Sequence, residues 1–159
     1  MQTLWDAGAR QIVVVSLADM GTTPAFNSNG SSGEWVSALT VSYNQALEAA
    51  LLGLETDGVP TIRVDGFGWF RNIAALPEEF GFAKVTDGFL PDGLSAGDDP
   101  TQYLFWDHIH PTTRGHRVMA DIARNGLIDY YSPRRGKSHP PALVNALNGL
   151  ARAKKPRRR

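Results

Sequence analysis

Four β-branched residues in a row, Ile12-Val13-Val14-Val15, constrain this chain more than any other feature. A half-buried strand alternates apolar and polar residues. An unbroken apolar run reads instead as a strand covered on both faces, as in a parallel sheet. The strand is expected over Gln11 to Leu17, with Gly8 ending a short amphipathic helix before it. Ala18 to Gly33, rich in Gly, Asn, Ser and Thr, reads as a long surface loop. A helix is expected over Glu34 to Leu54, where Leu47, Ala50, Leu51 and Leu54 form one apolar stripe. A second strand follows at Pro60 to Asp65, then a helix at Phe67 to Ala75 and a turn or brief helix at Leu76 to Gly81. Asp87 to Pro100 reads as a Gly/Asp/Pro-rich loop, and Tyr103 to Trp106 as a marginal third strand. Thr112 or Thr113 caps a helix from about Arg114 to Asn125, with Val118, Met119 and Ile122 as its buried stripe and Gly126 as its stop. Strands alternating with helices predict an α/β fold with a mostly parallel sheet. Two convincing strands are few for such a sheet.

At 159 residues the chain is about one domain long. Cysteine is absent, which excludes disulfides, thiolate metal sites and cysteine nucleophiles. No apolar run of about 18 residues predicts a membrane span, and Met1 to Arg10 does not read as a signal peptide. The compartment is left open. A formal net charge of zero hides an asymmetry: all 16 acids fall within residues 1–133, against 7 basic residues. Residues 134–159 hold the other 9 basic residues and no acid. A partial domain over 1–133 is therefore expected, followed by a C-terminal helix at Ala142 to Ala151 and a basic, disordered tail. Such a tail could meet nucleic acid or an anionic membrane, but its lack of interleaved aromatic residues disfavours a nucleic-acid partner.

The chemistry concentrates in Phe105-Trp106-Asp107-His108-Ile109-His110-Pro111. Asp107 and His110 are three residues apart on an expected loop after a strand, where α/β sheets place ligands. At that spacing the carboxylate can reach one imidazole nitrogen, fix the tautomer and stabilise the imidazolium once the other nitrogen takes a proton. Pro111 biases His110 to extended backbone. The pair reads as a general base with its orienter; the alternative is a helix cap. Metal binding through His108, His110 and His116 is disfavoured, because no pair has helical i, i+4 spacing. Trp106 could line an acyl pocket, or belong to the core. Phe67, Trp69 and Phe70 read as anchors of their helix on the sheet.

The segment from Trp106 through Ala123 resembles the last sequence block of the SGNH/GDSL esterases and lipases. Its Phe-Trp-Asp-x-x-His-Pro-Thr form is typical of the lipase-like branch, which includes the esterase passengers of autotransporters. Upstream, Leu4 to Pro24 is similar to that family's central strand and following loop. Tyr43-Asn44-Gln45-Ala46-Leu47 is similar to its helix, and Val64-Asp65 and Phe80-Gly81-Phe82 to the segment before the last block. The resemblance covers about residues 1–126 in the family's order. It implies a three-layer α/β/α, flavodoxin-like fold and ester hydrolysis through an acyl-enzyme, on a small ester or lipid substrate, with no metal or organic cofactor. His110 would be the general base and Asp107 its partner.

The family's Gly-Asp-Ser nucleophile block and its oxyanion Gly and Asn motifs are not in this sequence. Gly97-Asp98 is followed by Asp99, not Ser. Ser28, Ser31, Ser32 and Ser95 lie on expected loops and Ser16 on the buried strand; none has the strand-to-helix setting that activates a nucleophile. Three functions remain: an ester hydrolase represented by its C-terminal portion, a non-catalytic remnant or binding domain of the same fold, and an anionic-surface binder acting through the tail.

Overall fold

A computed structural model describes residues 1–27, 31–92 and 97–132. The elements run α1 (Gln2–Asp6), β1 (Val13–Val15), α2 (Pro24–Asn27), α3 (Ser31–Thr56), β2 (Ile62–Val64), α4 (Gly66–Ala75), β3 (Lys84–Gly88), α5 (Phe89–Asp92), β4 (Tyr103–Phe105) and α6 (Thr113–Tyr131). All strand pairing within the sheets is parallel, as the α/β reading expects, but it falls into two pairs: β1 with β2, and β3 with β4. The expected helix and tail at 134–159 lie outside the described residues.

In the first pair Val13, Val14 and Val15 stand beside Ile62, Arg63 and Val64. Successive side chains point to opposite faces. Val14 and Arg63 share a crevice with Leu47 and Leu51, so α3 covers their face. Arg63 is held there by two carboxylates: Nε lies 3.1 Å from Glu48 Oε2 and Nη1 3.0 Å from Glu55 Oε1. On the opposite face α6 packs on β2. A side chain at Gly126 would put its Cβ 3.3 Å from Val64 Cγ2. The expected stop at Gly126 is thus a place of close approach, and α6 runs through it to Tyr131.

The expectation of a β1 buried on both faces does not hold: Val13 is 42% and Val15 51% exposed. The helix on their face reaches β2 and leaves β1 uncovered among the described residues. Nor is α3 fully covered. Thr40, Asn44 and Leu51 are buried, whereas Trp35, Leu39 and Tyr43, at i, i+4 and i+8, are exposed. Its apolar arc is wider than the strip the described residues cover.

The main core unites Val64, Phe70, Ile73, Phe82, Leu104, Phe105 and Ile122. Phe67 and Phe70 anchor α4 as expected, with the Phe70 ring edge-on to Phe105 at 5.7 Å. Trp69 instead stays partly exposed, edge-on to Phe80. Asp65 caps α4 by accepting from the Gly68 N–H at 2.8 Å. Burial pushes its carboxyl above the ordinary range, against the lowering effect of that bond. Ser16, buried at the end of β1, accepts from the Phe67 N–H at 3.1 Å, so its hydroxyl serves the start of α4.

Three further expectations are corrected. The 18–33 segment is not all loop: it holds a 3-10 turn at Met20–Thr22, α2, and the start of α3 at Ser31. The expected 87–100 loop begins inside strand β3 and continues into α5; β3 carries Lys84, Thr86 and Asp87 with little alternation, and it pairs with β4 only around Lys84–Tyr103 and Gly88–Phe105, with a register shift between them. The stripe of α6 buries Ile122 but leaves Met119 exposed.

β4, the marginal strand of the sequence reading, is buried at all three positions. Replacing Phe105 by Ala should therefore cost about 3–5 kcal/mol. Replacing Trp106 by Ala, an exposed neighbour stacked on one ring, should cost about 1 kcal/mol. Urea unfolding of the two variants beside wild type checks the difference.

Candidate active site

Chain direction places the site. β3 and β4 run parallel, and the loop 106–111 leaves the carboxyl end of β4, the edge at which parallel sheets bind ligands. Four backbone hydrogen bonds fix this loop. Trp106 N–H donates to His110 O at 2.7 Å, closing it on itself. Thr112 N–H donates to Leu104 O at 2.9 Å at its exit. Leu90 N–H donates to Trp106 O at 2.8 Å, and Ala25 N–H to His108 O at 2.9 Å. Phe105 and Pro111 form an antiparallel bridge across its base.

Within this frame the Asp107 carboxylate turns back on its own loop. Oδ1 accepts from His110 N–H at 2.7 Å and from Ile109 N–H at 2.8 Å. Oδ2 lies 2.7 Å from His110 Nδ1. The backbone N–H of His110 first, then that of Ile109 and the ring, hold the carboxyl at about 2, below its ordinary 3.8. An ionised carboxylate only accepts, so the proton of this contact belongs to Nδ1. Nε2 is left as an acceptor on a side chain that is 74% exposed. It has no hydrogen-bond partner among the described residues. The chemistry available is proton uptake at Nε2, with the resulting positive charge facing a fixed anion.

The cap reading of the same residues gives way to a division of labour. Thr112 caps α6: its Oγ1 accepts from Gly115 N–H at 3.1 Å and donates to Tyr103 O at 2.9 Å. Asp107 is thereby left to the imidazole. His108 and His116 do not join His110. His116 Nδ1 lies 3.0 Å from Thr112 O in the first turn of α6, and no group of three metal-ligating side chains occurs among the described residues. The Arg114 guanidinium lies 5.5 Å over the Phe82 ring and reaches Phe80 O.

Sequence reasoning missed what stands behind the loop. Gly88, at the end of β3, is pressed against Asp107: a Cβ there would lie 2.6 Å from Asp107 O. A Gly closing a strand just before an aromatic residue was the available signal. Phe89 stacks on Trp106 at 5.3 Å and meets Tyr103 edge-on at 5.4 Å. Trp106 is therefore not a core residue; it is 41% exposed beside the dyad. Of the expected loop serines, Ser28 and Ser95 lie outside the described residues.

A sequence profile described as GDSL-like lipase/acylhydrolase matches residues 1–123. The chain belongs to that family. A GDSL esterase/lipase of Arabidopsis thaliana is 32% identical over 143 residues, covering 76% of this chain and 40% of the relative. A second from the same plant is 28% identical, covering 76% and 39%. The thermolabile hemolysin of Vibrio parahaemolyticus is 26% identical, covering 80% and 35%. This GDSL-family chain thus spans about two fifths of the length of the curated relatives it matches.

The carboxyl of Asp107 should titrate with a midpoint near 2, read from its side-chain ¹³C resonance. Because the folded value lies below the ordinary 3.8, the stabilisation is complete above pH about 4 and is lost as pH falls toward 2. The Asp107→Asn variant should lack this acid-dependent component of unfolding.

Proposed function

We propose that this chain supplies the acid–base part of a carboxylic-ester hydrolase centre, with His110 as general base and Asp107 as its orienting anion. The observation that carries the reading is the 2.7 Å contact of Asp107 Oδ2 with His110 Nδ1, on a carboxylate already fixed by two backbone N–H groups. The family assignment supports the ester-hydrolase class. In this scheme Nε2 takes the proton of a serine hydroxyl as its oxygen attacks the ester carbonyl. The imidazolium then gives that proton to the departing alkoxide, leaving an acyl-serine and a free alcohol. A water, deprotonated in the same way, attacks the acyl carbon, releases the carboxylic acid and restores the serine.

The nucleophile of this scheme is a serine other than those whose hydroxyls are engaged within the described residues. Ser37 Oγ is bonded to Asp19, Ser42 Oγ to Ala38 O and Ser132 Oγ to Ile128 O. With Ser16 serving α4 as well, none of these hydroxyls is on His110. The substrate is an ester or lipid whose acyl part meets the exposed Trp106, stacked on Phe89 beside the dyad.

Hydrolysis of a short-chain p-nitrophenyl ester tests the reading. The 159-residue chain alone should turn over no faster than its His110→Ala variant. In a longer polypeptide that carries a serine block ahead of residue 1, the same substitution should lower kcat/KM by at least about 10³-fold. Equal activity of wild type and variant in that longer polypeptide would sink the assignment and favour a non-catalytic domain of the same fold.

A further inference from the structure

Asp19 is a fully buried carboxylate far from the dyad in sequence, and the hydrolytic scheme gives it no task. It is fully engaged nevertheless. Oδ1 accepts from Ser37 Oγ at 2.5 Å and from Gly21 N–H at 3.2 Å, and Oδ2 from Arg71 Nη1 at 3.1 Å. Its carbonyl accepts from Thr22 N–H at 3.1 Å and Thr22 Oγ1 at 2.7 Å. One residue thereby joins the 3-10 turn that it caps, the first part of α3 and the middle of α4. A buried charge is tolerated only when paired and bonded in this way. Losing one partner leaves the rest uncompensated, so the node is stiff.

What the node holds is the segment 19–27, and that segment ends against the dyad loop at one residue and against the neighbouring strand β3 at another. Ala25 N–H donates to His108 O at 2.9 Å, inside the loop between Asp107 and His110. Asn27 Nδ2 donates to Thr86 O at 2.9 Å in β3, whose last residue, Gly88, is pressed against Asp107. His108 O is the carbonyl that precedes the Ile109 N–H donor to Asp107. Anchoring that peptide plane therefore aims the N–H at the carboxylate.

We propose that Asp19 is a positioning residue for the Asp107–His110 dyad, acting through the 19–27 segment on the His108 carbonyl and, by way of Asn27, on the strand that abuts Asp107. The proposal rests on the acid–base reading of the dyad. It explains why a carboxylate is buried beneath a Gly/Thr-rich segment where an apolar residue would stabilise packing as well. It touches neither substrate nor reacting atoms.

The test uses the isotopically labelled 159-residue chain and needs no turnover. Two signals report the dyad: the hydrogen-bonded Nδ1 proton of His110, and the titration midpoint of Asp107. A role confined to stability would lower the Tm and leave both unmoved. Asp19→Asn keeps the shape and removes the anion facing Arg71. It should broaden or remove the Nδ1 proton signal and raise the proton affinity of Asp107 about tenfold, moving its midpoint from about 2 toward 3.8. Arg71→Leu, at a side chain 42% exposed, should move both signals the same way by less, and it decides the matter if Asp19→Asn does not fold. Asn27→Ala should act with the same sign through β3. Folded variants with a lower Tm and an unchanged Nδ1 proton and midpoint would overturn the proposal. A wild type that itself shows an ordinary Asp107 midpoint and no bonded Nδ1 proton would overturn the dyad reading, and the proposal with it, before any variant is made.

Discussion

The site hangs on a threonine that does no chemistry. Thr112 is buried, and every polar group it offers toward the strand and helix is used: N–H to Leu104 O, Oγ1–H to Tyr103 O, and Oγ1 as acceptor for Gly115 N–H. The hydroxyl thus ties the last strand to the first turn of the last helix, and the loop between them becomes a closed span with both feet fixed. A loop so anchored is a short structure whose peptide planes have few choices. Asp107 can then direct both carboxylate oxygens at groups of its own loop, the imidazole among them.

Much of this was legible in the sequence, for physical reasons. The Asp107–His110 contact is local in the chain: its members stand three residues apart and a proline follows. The same holds for the cap at Thr112 and for the helices α3, α4 and α6, whose periodic apolar residues are visible in short windows. What was not legible depends on partners far away in the chain. β3 contains Lys84, Thr86 and Asp87, and becomes a strand because β4 lies beside it. Gly126 looks like a stop until Val64 is placed against it. The Asp19–Arg71 contact spans 52 positions, and no pattern near Asp19 announces it. Trp106 shows the limit from the other side: position beside a strand suggested the core, whereas stacking on Phe89 leaves it half in solvent.

Polar anchoring recurs on both sides of the fold, which suits a body with so many more acids than bases. Arg63 is enclosed between Glu48 and Glu55 under α3, while Glu48 Oε1 and Arg63 Nη2 have no protein partner among the described residues. Arg71 serves Asp19, and Arg114 lies on Phe82. Three basic side chains of the body are thus committed to internal ties, whereas Arg124 meets Asp121 at the surface.

The exposed valines of β1 and the exposed Trp35–Leu39–Tyr43 row of α3 bring temperature into play. Water around such surface costs free energy through its entropy, and that penalty weakens on cooling. A partner that covered these faces would be held by a force that grows from the cold toward ambient temperature. Contacts made by fixed charges and hydrogen bonds, such as those around Asp19 and Asp107, do not share that dependence. The covering of this surface and the geometry of the dyad therefore respond to cooling in different ways.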